Sequence, residues 1–309
     1  MAAARTAGRP RRTRGSKGDG PVAYLFMTPW LIGMAGLTLG PMLASLYLSF
    51  TDYNLFTAPE WVGLDNYRQM LADDQFRQAS KVTGVYVLLA TPLKLGAALA
   101  VAMMLVQRRR GIGLYRSAFY APSLIGASVG VAIVWRALFS DGGVQDSALG
   151  AVGLDTGGWI GNPDYSLLML VLLAIWQFGA PMVIFMAGLM QVPTELYEAA
   201  EVDGAGPWRR FRRITVPMIS PVIFFNLLLE TIHAFQVFAS AYVISTGDGR
   251  PAGSTLLYTL HLYRRAFTDF RMGYASAMAW TLLVVVGLIT VLMFRVSRTR
   301  VHYAGEDDR

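Results

Sequence analysis

Three polar side chains interrupt an apolar stretch of this 309-residue chain, at residues 217–240. Asn226, Glu230 and His233 are spaced by four and three residues, so they share one face of a helix. An amide, a carboxylate and an imidazole can hydrogen-bond a polar solute or pass a proton. A charge inside a membrane costs roughly 2.5–3.5 kcal/mol and is usually functional. The alternative is a structural pair between helices, Glu230 with His233 or with Arg136.

Four further side chains are candidates for the same polar surface. Trp176 and Gln177 lie in another apolar stretch and offer a ring for stacking and an amide for hydrogen bonding. Ser123 and Gln236 are weaker candidates, the first beside a proline and the second one turn beyond His233. Tryptophan near a membrane interface is also a common anchor, so Trp176 has a structural interpretation as well.

The elements that position these side chains are predicted to be transmembrane helices. The chain is 54% hydrophobic and only 15% charged, against about 25% charged in soluble domains. Six stretches reach the roughly 20 apolar residues that span a bilayer. They are residues 22–49, 82–106, 118–139, 167–190, 217–240 and 275–295, the third being interrupted by Pro122, Gly126, Gly130 and Arg136. The predicted fold class is an all-α integral membrane protein with six transmembrane helices.

Basic residues predict how these helices are oriented. The net charge is +7, and arginines cluster in residues 1–20, 107–117, 191–216 and 295–300, while residues 140–166 carry aspartates without lysine or arginine. This asymmetry places both termini in the cytoplasm and makes lipid, not nucleic acid, the partner of the positive charge. The long loop 241–274 also carries arginines and is expected outside, where the rule is weaker.

The predicted organisation is one membrane domain with two tails. We expect a disordered basic tail at residues 1–20, the six-helix domain at 21–296 and a cytoplasmic tail at 297–309. The chain has no cysteine, so it has no disulfide, thiolate metal site or cysteine nucleophile. The sequence predicts no catalytic residue and no metal site.

A charged segment at residues 193–217 lies between two apolar stretches. Its first part is predicted to be a short amphipathic helix that Thr194 can cap, with Glu195 in the first turn. Gly204 can take a positive φ and end that helix, and Pro207 suits the first turn of a second one. A helix that only lies on lipid headgroups is the alternative interpretation.

The spacing within segment 193–217 resembles the EAA motif of permease subunits of binding-protein-dependent ABC importers. The matching residues are Glu198-Ala199-Ala200, then Gly204 after three residues, and Ile214 and Val216-Pro217 further on. Val216 stands where the family usually has leucine. In that family this loop docks on a cytoplasmic ATPase. The resemblance therefore implies that Glu198, Ala199, Ala200, Asp203 and Gly204 couple the chain to an ATPase.

Shorter stretches resemble the sugar-importing, MalF-like branch of the same family. They are Tyr120-Ala121-Pro122, Ala187-Gly188-Leu189, residues 245–249, residues 270–277 and residues 298–303. The resemblance implies the type I importer permease (MetI-like) fold and a sugar or oligosaccharide as the solute. The matching stretch of that branch lines the solute path, which favours solute binding by the polar face around Glu230.

The resemblance also implies partners and a location. These are a second permease in a heterodimer, two cytoplasmic ABC ATPase subunits and an extracytoplasmic solute-binding protein, in a bacterial inner membrane. The chain has no G-x-x-x-x-G-K-[ST] loop, so ATP and Mg²⁺ are expected on the partner ATPase and no cofactor on this chain. We expect a transport subunit and not an enzyme.

Three other functions are consistent with parts of the sequence. An ABC permease for a non-sugar solute would share every feature except the solute class. A secondary transporter could use Glu230 and His233 as a proton relay, but segment 193–217 would then have no explanation. A membrane glycosyltransferase would need clustered carboxylates in an outer loop, whereas Asp141, Asp146, Asp155 and Asp164 are spread out along the loop.

Overall fold

The computed structural model describes residues 19–107, 111–126, 128–151, 153 and 158–297. Most of the predicted tails, at 1–18 and 298–309, lie outside the described residues, as do Arg108, Arg109, Arg110 and Asp155. Asp19 and Gly20 already belong to the first helix.

The described residues are mostly helical. The α-helices in chain order are α1 Asp19–Gly33, α2 Gly40–Leu48, α3 Asp65–Ala72, α4 Asp74–Val106, α5 Ile112–Ile125, α6 Val129–Leu138, α7 Val144–Gly150, α8 Pro163–Trp176, α9 Gly179–Leu189, α10 Thr194–Val202, α11 Pro207–Arg210, α12 Val216–Met218, α13 Ser220–Phe235, α14 Ala239–Ile244, α15 Tyr258–Tyr263 and α16 Met272–Ser297. Three π-helical turns join some of them, at Met34–Leu39, Phe211–Thr215 and Arg264–Thr268. The strands β1 Thr51–Asp52 and β2 Glu60–Trp61 pair antiparallel as a small hairpin.

The lengths of these helices agree with four to six membrane spans. Tyr24–Leu48, Asp74–Val106, Ser220–Ile244 and Met272–Ser297 are each long and apolar enough to cross a bilayer. Two bent pairs, α5 with α6 and α8 with α9, make six if each pair is one span. The second span begins eight residues earlier than predicted, because Asp73 caps α4 by accepting a hydrogen bond from the Gln75 N–H at 2.9 Å.

Residues 1–47 form a unit of their own. Its described part is helical from Asp19, with the π-helical turn Met34–Leu39 between α1 and α2. The apolar side chains Leu25, Phe26 and Leu37 are exposed. An apolar surface of this kind suits lipid or another transmembrane helix.

The second unit, residues 48–309, is built around α4. In the middle of this unit Tyr86 and Ala90 of α4 belong to an apolar core that also contains Leu170 of α8 and Ala234 of α13. Further along α4, Ala98 and Ala102 are fully buried in a second core with Phe185 of α9. Small residues four apart on a helix allow close approach of a neighbouring helix, which is how transmembrane helices commonly pack.

The two bent pairs meet at their breaks. The predicted interruption of the third stretch is present, since α5 ends at Ile125 and α6 begins at Val129 after an N-cap at Ser128. The break between α8 and α9, with a bend of 44°, was not predicted. There Ser123 of α5 donates to the Gln177 carbonyl at 3.0 Å and accepts from the Ala180 N–H at 3.1 Å. These bonds satisfy backbone groups that a broken helix would leave without partners in a membrane.

A polar cluster lies at the N-terminal end of α4. Asp73 Oδ2 accepts hydrogen bonds from Arg265 at 2.8 Å and from the Tyr274 hydroxyl at 2.9 Å. Burial alone would raise the pKa of Asp73, but the bonds from Tyr274 and Gln75 and the charge of Arg265 outweigh it and lower the pKa.

His261 is buried beside this cluster, with Nε2 3.7 Å from Asp73 Oδ2. Burial and the charge of Arg265 lower the pKa of His261 to about 4, and the carboxylate of Asp73 opposes them only in part. The imidazole is therefore neutral at physiological pH.

Candidate functional site

The polar face predicted around Glu230 borders a cavity of about 270 Å³. We call it the polar cavity; its lining includes Tyr86, Thr91 and Lys94 of α4, Gln177 at the break after α8, Glu230 and His233 of α13, and Ser240, with apolar side chains between them. Its volume lies just below the roughly 300–1,000 Å³ of typical small-molecule pockets. Lys94 and Glu230 both lie well inside their helices, so the cavity is near the middle of the helical bundle.

An ion pair crosses the wall of the polar cavity. Lys94 Nζ donates to Glu230 Oε2 at 2.7 Å, and the side chains of Lys94 and Glu230 are 16% and 11% exposed. The two structural partners that the sequence suggested for Glu230 were wrong. His233 forms no ion pair with it, and Arg136 instead donates to the Val243 carbonyl at 3.3 Å.

Lys94 is a charged residue of the polar cavity that the sequence analysis did not single out. It is a lysine inside an apolar stretch of more than 20 residues, and such a charge in a membrane span needs a partner or a function. The sequence therefore indicates that Lys94 needs a partner. It does not indicate that the partner is Glu230, because the two residues are 136 positions apart in the chain.

Two buried polar atoms near the ion pair have no hydrogen-bond partner among the described residues. They are Oγ1 of Thr91, one turn before Lys94 on α4, and Nδ2 of Asn226, one turn before Glu230 on α13. Thr91 lines the polar cavity, whereas Asn226 is buried and is not among the lining residues. Buried polar groups are nearly always hydrogen-bonded, so water or a bound solute is the natural partner for these atoms.

The remaining predicted solute-binding residues lie in different places. Gln177 does line the polar cavity, and its Nε2 also donates to the Gly126 carbonyl at 3.0 Å. Ser123 hydrogen-bonds the Gln177 carbonyl at the break between α8 and α9 and is not among the residues that line the polar cavity. Trp176 packs against Trp135 at 5.7 Å, because its ring turns into the apolar core.

Gln236 and His233 are both exposed, but they differ in position. Gln236 follows the last residue of α13, where the helix ends, and does not line the polar cavity. His233 does line it. The sequence suggested that Trp176 would supply an aromatic ring to the solute site, but the aromatic ring in the cavity wall is that of Tyr86. Solute binding by any of these side chains stays a prediction.

Segment 193–217 has the two helices that the sequence predicted. Helix α10 ends in a reversal in which the Gly204 N–H donates to Glu201 at 3.0 Å and the Ala205 N–H donates to Ala200 at 2.8 Å. This is a Schellman motif, and Gly204 takes the required left-handed conformation with φ 71°. Thr194 was predicted to cap α10, but it is the first residue of the helix, which has no side-chain cap.

The outer surface of segment 193–217 is available for contact. Within the predicted coupling residues, Glu198, Ala199, Asp203 and Gly204 are exposed and Ala200 is half-buried. Val202 is 89% exposed beside them, and Trp208 is 71% exposed at the start of α11. Val202 and Trp208 are therefore large apolar groups that this surface could present to a partner.

Internal bonds hold the two short helices of this segment together. The hydroxyls of Tyr197 and Thr215 lie 2.9 Å apart, and Arg210 donates to Glu201 Oε2 at 2.9 Å. Tyr197 and Thr215 also share a pocket with Val106 at the last turn of α4. The segment therefore lies at the end of α4 opposite Asp73, and 33 residues of helix separate the two ends by about 50 Å.

Comparison with known proteins gives a consistent family. The family model described as binding-protein-dependent transport system inner membrane component matches residues 85–303. A probable ABC transporter permease protein of Bacillus subtilis (strain 168), YesP, is 49% identical over 300 residues, which cover 96% of this chain and 97% of that protein. The lactose transport system permease protein LacF of Rhizobium radiobacter is 30% identical over 90% of this chain and 94% of its own length.

Solved structures agree on the fold. A bacterial alginate ABC transporter, in complex with an alginate pentasaccharide-bound periplasmic protein, contains a chain with a TM-score of 0.77 at 22% identity. That likeness covers 90% of this chain and 94% of the other. The expected importer permease fold is therefore confirmed, and the chain belongs to the family of inner membrane components of binding-protein-dependent transport systems.

Proposed function

We propose that this chain is a permease subunit of an ATP-driven importer and that its solute is a sugar or an oligosaccharide. The observation that carries the proposal is the polar cavity, in which a carboxylate, an ammonium, an amide and a phenol ring converge near the middle of an apolar bundle. Such a surface suits a molecule with many hydroxyl groups. The relative that transports lactose and the structural neighbour that transports alginate support a saccharide.

The proposed subunit does not hydrolyse ATP itself. A second permease and two ATPase subunits complete the transporter, and ATP and Mg²⁺ bind to the ATPases. The exposed surface of α10, with Val202 at its end, is the proposed docking site for one ATPase. This requires segment 193–217 and both chain termini to be cytoplasmic, as the arginine distribution predicts.

The solute-binding protein is the proposed partner on the other face of the membrane. It delivers the saccharide to the end of the bundle near Asp73, about 50 Å from segment 193–217. The permease pair then alternates between states open to either side, and ATP binding by the ATPases selects between them.

Purification and reconstitution test this proposal. A tagged chain is isolated from native membranes in mild detergent, its partners are identified by mass spectrometry, and the complex is placed in liposomes with labelled saccharides. We expect a P-loop ATPase, a second permease and uptake that requires both ATP and the binding protein. Uptake by the chain alone, driven by a proton gradient without ATP, would instead establish a secondary transporter.

A further inference from the structure

The ion pair in the polar cavity bears on which saccharides the site accepts. The lactose permease relative and the alginate transporter chain stand for two chemically different solutes, one neutral and one acidic. A site for an acidic saccharide needs a cation that is free to bind carboxylate. Lys94 is the only lysine or arginine among the described residues that line the polar cavity, and Glu230 is the only carboxylate.

Lys94 is already neutralised by Glu230. The 2.7 Å distance and the low exposure of both side chains make this a tight, largely desolvated pair. A solute carboxylate that accepted one of the remaining N–H groups of Lys94 would lie beside Glu230, so two anions would share one cation in a largely desolvated site. Displacing Glu230 would instead leave a buried carboxylate without its counter-charge, and breaking one side of a buried pair is strongly unfavourable.

A neutral polyhydroxy solute meets no such obstacle. An ammonium has three donors and a carboxylate has about four acceptor positions, so their mutual bond leaves positions for solute hydroxyls. Thr91 Oγ1, buried in the same wall without a partner among the described residues, can bond another hydroxyl. The pair therefore offers donors and acceptors to a sugar while keeping the cavity without net charge.

We propose that Lys94 is a specificity-determining residue, and that its pairing with Glu230 makes the polar cavity select neutral saccharides over anionic ones. This inference rests on the proposed saccharide transport. It also gives Lys94 and Glu230 a joint role, because either side chain without the other would leave a charged cavity.

Direct binding to the purified complex, without the solute-binding protein, isolates this site from the selectivity of the binding protein. The probes are radiolabelled lactose and the diuronate released from alginate, measured by equilibrium dialysis. Wild type is expected to bind lactose at least about tenfold more tightly than the diuronate. Glu230→Gln keeps the size of the side chain but frees Lys94, so this ratio should fall about tenfold or invert. Lys81→Gln, at an exposed lysine of the same helix, is the matched control and should leave the ratio unchanged.

The outcomes separate the inference from the proposed function. Binding of both probes with the same ratio in wild type and Glu230→Gln, or a wild-type preference for the diuronate, overturns the role of Lys94 alone. Binding of neither probe to wild type, although the complex is assembled, contradicts saccharide binding in the polar cavity and overturns this inference with it.

A charge-swapped variant decides the case in which Glu230→Gln does not assemble. Lys94→Glu combined with Glu230→Lys restores a neutral pair and should keep the preference for lactose. Loss of that preference in an assembled complex overturns the proposal. Failure of both variants to assemble assigns the pair to helix packing and overturns it as well.

Discussion

Gly204 gives the sharpest test of segment 193–217. Its φ of 71° is strained for any residue with a β-carbon, yet an ideal Cβ built there meets nothing within 4 Å. A substitution therefore changes the backbone preference and creates no clash. The Schellman bonds to Glu201 and Ala200 depend on that conformation, so the strain acts directly on the end of α10.

The expected cost follows from the conformation alone. A left-handed residue with a β-carbon costs roughly 1–2 kcal/mol relative to glycine, and a β-branched residue such as valine lies at the upper end. That free energy lowers the population of the reversal about 5- to 30-fold. Asparagine tolerates this conformation much better, so Gly204→Asn should lose far less than Gly204→Val.

The assay is ATP hydrolysis and saccharide uptake by the reconstituted complex, with co-purification of the ATPase as a measure of docking. Gly204→Val should weaken docking and uptake while the permease pair still assembles, and Gly204→Asn should stay close to wild type. Equal activity of all three proteins would refute a role for the reversal. Equal loss in the valine and asparagine variants would show that the left-handed conformation is not the reason.

Two further substitutions test the frame around the site. The pKa of His261 is 6.5 in the unfolded chain and about 4 in the folded protein. As the pH falls below 6.5, the imidazole is protonated in the unfolded state but not in the folded state, so the free energy of unfolding decreases. Between pH 6.5 and 5 this decrease is about 2 kcal/mol. The melting temperature of the His261→Gln complex should therefore fall less on acidification than that of wild type. An equal fall in the two complexes would contradict a buried neutral imidazole. Gly179→Ala would place Cβ 2.7 Å from Ser123 Oγ and 2.8 Å from the Phe119 carbonyl and should cost about 1–3 kcal/mol in melting experiments, whereas Gly96→Ala, with nothing within 4 Å, should be neutral or stabilising.

The sequence predicted those features whose causes are local. Glycine at position 204 after a charged helix, and a run containing Pro122 and Gly126, each alter the backbone within a few residues. The positive φ of Gly204 and the interruption before Ser128 followed from residue type alone. Glu230, His233 and Gln177, which the sequence predicted to bind solute, line the polar cavity, and solute binding by them stays a prediction.

Features that depend on distant segments were not predictable in the same way. The second break, at Gln177, has no proline at the bend, and it depends on close packing of Gly179 against Phe119 and Tyr120 of α5. Trp176 was expected near solute, but a large ring gains more by burial beside Trp135. The break at Gln177 and the burial of Trp176 both depend on which helix packs against that part of the chain. The hydrophobic periodicity of a single stretch does not predict its neighbouring helix.

Helix α13 offers a direct mechanical link between the two proposed sites. Backbone hydrogen bonds continue from Thr215 to Ile219 and from Ile219 to Ile223, so segment 193–217 passes into α13 without a flexible loop. Glu230 lies ten residues after the start of α13, which is about 15 Å along the axis. A rigid displacement of the segment by an ATPase would therefore move Glu230 relative to Lys94, which lies on a different helix. In the proposed transporter, coupling would then need no relay of side-chain rearrangements, since the backbone hydrogen bonds that join Thr215 to Ile219 and Ile219 to α13 would carry the motion to the polar cavity.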